Sequence, residues 1–160
     1  MHRIDYPAIA EWCDQSGYEL RDWIPSLPSV AKSLECSPSL QQLPEFLDAL
    51  VSLEADERLI WIADWTIWND RSQDIGLRHL AMLTGAEPSE EDDRALAFVL
   101  EPGQWREAIA ILTVPVLYGW DAHLLFRSGL LLADISHHGT VAVSLRRDDD
   151  RLDRWARKSP

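Results

Sequence analysis

Asp134 stands three residues ahead of two adjacent histidines, His137 and His138, with Gly139 behind them. Carboxylate and imidazole groups set this close can ligate a divalent metal, or pass a proton as a general acid–base pair. Asp121 and His123 precede them on what reads as a neighbouring strand. A set of Asp121, His123, Asp134 and His137 would suit a small metal-dependent hydrolase. The spacing does not require that set, because zinc wants three or four convergent ligands at about 2.0–2.3 Å. Adjacent residues of extended backbone point to opposite faces, so His137 and His138 meet only if a turn bends them together. The same residues fit the polar corner of a β-hairpin, and on that reading no metal or other cofactor is expected.

Other chemistry finds little support. Cys13 and Cys36 lie far apart with no C-x-x-C or Cys–His signature, which points to free, buried thiols. There is no G-x-S-x-G, no H-E-x-x-H and no phosphate-binding loop. His79 falls within a helical pattern and reads as a surface residue, and His2 is terminal.

These residues need elements to position them. Residues 1–57 read as a helical segment broken by prolines at 7, 25, 28, 38 and 44. "YPAIAEWCDQSG" predicts a short helix stopping at Gly17, and "LPEFLDALVSL" a second with Pro44 in its first turn. "RLIWIADWTIWND" is rich in Ile, Trp and Thr and reads as a Trp-rich strand. Leu59, Trp61, Ala63, Trp65 and Ile67 fall on one face, and Ile60, Ile62, Asp64, Thr66 and Trp68 on the other. Both faces are mostly apolar, so this strand is expected to be central and covered on both sides.

"SQDIGLRHLAML" predicts a helix with Ser72 as N-cap and Gly85 as stop, and "ALAFVL" a short strand. From Trp105 the apolar spacing is helical, with Trp105 on the buried face and a kink or end expected near Pro115. "AHLLF", "LLLADIS" and "TVAVSLR" are separated by Ser128-Gly129 and His137-His138-Gly139, which predicts an antiparallel meander. The class expected is α+β: N-terminal helices, a Trp-rich central strand, and a C-terminal antiparallel β-meander packed against helices. One domain over 1–160 is expected, with a helical segment at 1–57, an α+β core at 58–147 and a C-terminal helix or tail at 148–160.

Charge bears on partners. The formal net charge is −12. Nineteen acids and seven bases lie in the first hundred residues, against eight of each afterwards, so the whole excess sits in the first part. Such a surface repels phosphates, which argues against nucleic acid, and it steers a basic partner inward. "EPSEEDD" concentrates five acids: Glu87, Glu90, Glu91, Asp92 and Asp93. Trp68, beside Asn69 and Asp70, is a candidate aromatic anchor next to an acid. No apolar run approaches the roughly 20 residues a bilayer requires, and the first residues lack the apolar core of a signal peptide. A cytoplasmic protein with no membrane partner is the expectation.

Three stretches carry a resemblance: "WIADWTIWNDRSQDIGLRHL", "YGWDAHLLF" and "ISHHGTVAVSL". A Trp-rich strand ending in Ile67-Trp68, a Gly119-Trp120 turn into a strand, and a Ser136-His137 step in the last hairpin make roughly residues 58–146 resemble a group of small bacterial proteins. Members of that group often carry an acid after the Ser-His step, where this chain has His138. Small acidic proteins of this kind resemble the immunity proteins of polymorphic toxin systems. The resemblance implies a non-enzymatic inhibitor of a basic toxin, a nuclease above all; the acidic block and the exposed end of the Trp-rich strand make Glu87, Glu90, Glu91, Asp92, Asp93, Trp68 and Asp70 the expected partner-binding residues.

Overall fold

The computed structural model describes residues 1–64, 71–85 and 96–156. Trp65, Trp68, Asp70, Glu87, Glu90, Glu91, Asp92 and Asp93 lie outside the described residues.

The chain is α+β, as its patterns predict. Its elements run β1 (His2–Ile4), α1 (Tyr6–Gln15), β2 (Glu19–Arg21), β3 (Ile24–Ser26), β4 (Lys32–Cys36), α2 (Leu43–Val51), β5 (Arg58–Asp64) and α3 (Arg71–Thr84). They continue with β6 (Leu96–Leu100), α4 (Trp105–Tyr118), β7 (Asp121–Phe126), β8 (Leu131–Ile135), β9 (Val141–Leu145) and a 3-10 helix at Asp150–Trp155. The first 57 residues therefore correct the helical expectation. They hold the two expected helices and also four short strands. Where a helix was expected to close the chain, the backbone makes the tighter 3-10 turn.

Seven strands form one antiparallel sheet in the order β1-β6-β5-β7-β8-β9-β4, and β2 pairs with β3 as a separate hairpin. The expected meander is β7-β8-β9, with its turns at Ser128-Gly129 and His137–Gly139. β4 returns from the N-terminal region and pairs along the whole of β9, Lys32 opposite Leu145 through Cys36 opposite Val141.

Period-two alternation sorts the strand residues onto two faces. Ile60 and Ile62 of β5, Leu124 and Phe126 of β7, Leu131 and Ile135 of β8, and Val143 and Leu145 of β9 join the main core beneath α2, α3 and α4. Leu59 and Trp61, Ala97 and Val99, Leu125 and Leu132 face the other way, where α1 covers them with Ile9, Trp12 and Cys13 and the residues flanking the β2–β3 hairpin with Tyr18 and Leu27. β5 is thus an interior strand buried on both faces, as its two apolar stripes require.

Local chemistry sets the element ends. Asp5 caps α1 by accepting a hydrogen bond from the Ala8 amide at 3.1 Å, and Gly17 beyond it takes φ +75°. α3 begins one residue before Ser72, which places that serine inside the first turn and not at the cap. α4 continues through Pro115 to Tyr118 and stops at Gly119, whose φ is +64°. It neither ends at the proline nor buries its first residue: Trp105 is 41% exposed. Trp120 at the corner after α4 is fully buried, and Gly76 of α3 has no room for a side chain because Trp120 and Tyr118 occupy that space.

Tyr18 locks the covering layer to the sheet. Its hydroxyl donates to the Leu131 carbonyl at 2.6 Å and accepts from the Phe126 amide at 2.9 Å. Burial pushes its phenol well above the usual tyrosine range. Gly129, at φ +64°, lies in the turn beside it, where a Cβ would collide with the Ser16 carbonyl oxygen. Cys13 and Cys36 are free and buried, as expected, and burial raises both thiols to about 11. Among the described residues no helix is long and apolar enough to cross a membrane.

Candidate functional site

The covering layer stops partway across the second face of the sheet. The pairing register runs a single row of residues from beneath it into the open: Trp61 of β5, His123 of β7, Asp134 of β8, Ala142 of β9 and Glu35 of β4. Trp61 is 1% exposed, while Ala142 and Glu35 are exposed. In the next row Ser144 is half-buried and Ser33 exposed. Half of this face is therefore a polar, solvent-facing sheet bordered by an aromatic wall.

His123 sits at that border, with its side chain 12% exposed. Its Nδ1–H donates to Asp134 Oδ1 at 2.6 Å, and its ring lies edge-on to Trp61 with centroids 5.4 Å apart. A carboxylate only accepts, so this bond fixes the proton on Nδ1 and leaves Nε2 as the free ring nitrogen. The Asp134 side chain is 43% exposed.

A second pair stands two residues back along β7. Asp121 Oδ1 accepts from the His137 backbone N–H at 2.7 Å and from His137 Nδ1 at 2.9 Å. This one carboxylate fastens the β8–β9 turn to the start of β7. The Ser136 hydroxyl oxygen accepts from the His138 amide at 3.2 Å in the same turn. The turn does bend the adjacent histidines together, and their ring centroids are 3.9 Å apart.

The four residues of the metal-hydrolase alternative, Asp121, His123, Asp134 and His137, thus form two separate pairs. Each carboxylate takes the Nδ1 of its own histidine, and two residues along a strand put the pairs roughly 7 Å apart. Among the described residues no group of three or more His, Cys, Asp or Glu side chains is placed to hold a metal ion. Chemically, each pair is an imidazole oriented by a carboxylate.

The aromatic wall extends beyond Trp61. Tyr6, at the start of α1, lies 6.4 Å from Trp61, and the Trp23 ring lies tilted at 37° against Tyr6, with centroids 3.4 Å apart. Trp23 and Asp22 form the two-residue turn of the β2–β3 hairpin, with φ of +71° and +49°. Two left-handed residues match the right-handed twist of the flanking strands, but an indole side chain rarely adopts that backbone. Trp23 is 37% exposed and its neighbour Ile24 62%. Neither Tyr6 nor Trp23 stands out in the sequence as a site residue. The available signal is "ELRDWIPS", in which Asp22, tolerant of positive φ, opens a two-residue loop between short extended runs.

No protein-family model, no curated protein and no solved structure matches this chain.

Proposed function

We propose that the chain is a non-enzymatic binding protein, an immunity-type inhibitor that covers a basic toxin, with a nuclease as the toxin class its charge suits best. The observation that carries this reading is the placement of charge. All of the net −12 falls in the first hundred residues, and the last sixty are neutral. Such a field draws in a cationic surface and repels nucleic acid. Carboxylates can then occupy the positions at which a nuclease holds phosphates, while aromatic side chains anchor the contact. The pairing of His123 with Asp134 and of His137 with Asp121 supports the same reading, since these groups fasten strands and turn to one another.

The test is co-expression with the product of the reading frame next to it in its genome. A toxin there should arrest growth alone and lose that effect when this chain is present. The two should co-elute as a complex from size exclusion. Changing Glu90, Glu91, Asp92 and Asp93 to Ser should slow association about tenfold at low salt, with the effect fading where the Debye length shrinks to about 3 Å at 1 M. Unrelieved toxicity together with the absence of a complex would overturn the proposal.

A further inference from the structure

A cleft of about 210 Å³ opens between α1 and the β1–β6 end of the sheet. Its floor is apolar: Ile4 of β1, Ala8 of α1 and Val99 of β6 lie there, with Trp12 beside them. The spacing of Ala8, Glu11, Trp12 and Gln15 puts all four on one face of α1, and Ala8 gives the cleft depth because its side chain is a single methyl. The rim is hydrogen-bonded. Gln15 Nε2 donates to Glu11 Oε1 at 2.8 Å, and Gln15 Oε1 accepts from Arg127 Nη2 at 2.7 Å. Trp12 Nε1 donates to Glu57 Oε1 at 2.8 Å. We propose that this cleft takes one lysine side chain of the basic partner, its stem along the apolar floor and its ammonium between Glu11 and Glu57. The proposal rests on the reading of the chain as a binder of a basic protein.

Charge, geometry and size select that occupant. Arg127 is already held, by Gln15, by Ser16 Oγ at 3.4 Å and by Glu57 at 3.9 Å, with its guanidinium over the Trp12 ring. It closes one end of the cleft and is not free to take an anion. Among the described residues, Glu11 and Glu57 each have one oxygen engaged, which leaves the other for a ligand. A guanidinium pairs best with both oxygens of one carboxylate, whereas an ammonium has three diverging donors and suits two single oxygens. The volume falls below the roughly 300–1,000 Å³ of sites that hold a drug-sized molecule, and an apolar stem with a charged head matches an apolar floor under an acidic rim. A second copy of this chain offers no such group, because Lys32, the only lysine among the described residues, is held by Asp148, Asp150 and Asp153.

The experiment is an NMR titration of the isotope-labelled chain at about 50 mM salt, where the Debye length still exceeds 10 Å. The probes are Nα-acetyl-lysine methylamide, its uncharged norleucine analogue and a nona-lysine peptide. Both lysine probes should shift the Trp12 indole N–H and the amides of Ile4, Ala8 and Glu11 together, and the norleucine analogue should not. Glu11→Gln and Glu57→Gln keep acceptors for Gln15 and Trp12, and each should weaken binding about fivefold by removing one charge. Ala8→Leu suits a helix and fills the floor, so it should abolish the shifts while the circular dichroism stays that of the parent. Equal binding of the norleucine analogue, or parent-like binding by both Glu11→Gln and Ala8→Leu, would overturn the site. A cleft silent to both lysine probes, with nona-lysine shifting other residues, would overturn the site and leave the basic-partner reading standing. No shift anywhere with nona-lysine would overturn both.

Discussion

Replacing Trp61 with alanine should remove about 3–5 kcal/mol of folding stability, the range for large aromatic truncations in a core. Trp61 is 1% exposed and packs between Tyr6 and His123 beneath α1. A buried tryptophan hides about 150–250 Å². At about 25 cal/mol per Å² that is about 4–6 kcal/mol, an upper figure because the unfolded chain already hides part of its surface. Alanine retains a share of the contact, which lowers the loss, and the cavity left behind raises it again. The cavity would lie at the edge of the covering layer, where Tyr6 and the hairpin can settle inward, so complete loss of the fold is not expected. The assay is equilibrium urea unfolding followed by far-ultraviolet circular dichroism, which does not depend on the deleted indole. The midpoint should fall with the slope unchanged. Trp105→Ala is the internal control, because that side chain is 41% exposed and should cost less than about 1 kcal/mol. A loss below about 1 kcal/mol for Trp61→Ala, or equal losses for both variants, would refute the assignment of this face as core.

Two further outcomes follow from buried and charged groups. Tyr18→Phe should cost about 1–3 kcal/mol in the same urea experiment, because the Phe126 amide and the Leu131 carbonyl would lose a buried partner; an unchanged midpoint would show that water replaces the hydroxyl. Hydrogen bonds from Arg151 hold the Asp149 carboxyl at about 2, below its ordinary 3.8. A depressed carboxylate stabilises the fold above its unfolded value and loses that contribution as pH falls from about 4 through 2. Thermal melting of the parent and of Asp149→Asn should therefore differ at pH 6 and converge near pH 2, and a gap that persists to pH 2 would contradict the ion pair.

Much of the architecture was legible because its signals are local. Pro7 and Gly17 bound α1, two apolar stripes mark β5 as covered on both sides, and glycines at 129 and 139 divide the meander. Each is a matter of turn chemistry or of periodicity over enough residues to register. The site was legible in part. His137 was placed in its turn and Asp134 on its strand, but the sequence could not say that each carboxylate takes a different histidine. That depends on register, which sets His123 opposite Asp134 and leaves Asp121 to reach the turn.

The remaining features belong to the tertiary structure alone. β1, β2 and β3 have three residues each, too few for alternation to show. β4 becomes a strand by pairing with β9, far along the chain. Proximity of Trp23 to Tyr6, of Tyr18 to the β7–β8 turn and of Trp61 to His123 joins segments distant in sequence. Composition and local pattern determined most of the strand burial and the turns of the meander, though not the exposure of Trp105 or the course of α4 through Pro115, because hydrophobic periodicity and steric preference act within a few residues. Which side chains meet was decided by the pairing of remote strands, whose free energy is realised only when the whole sheet has formed.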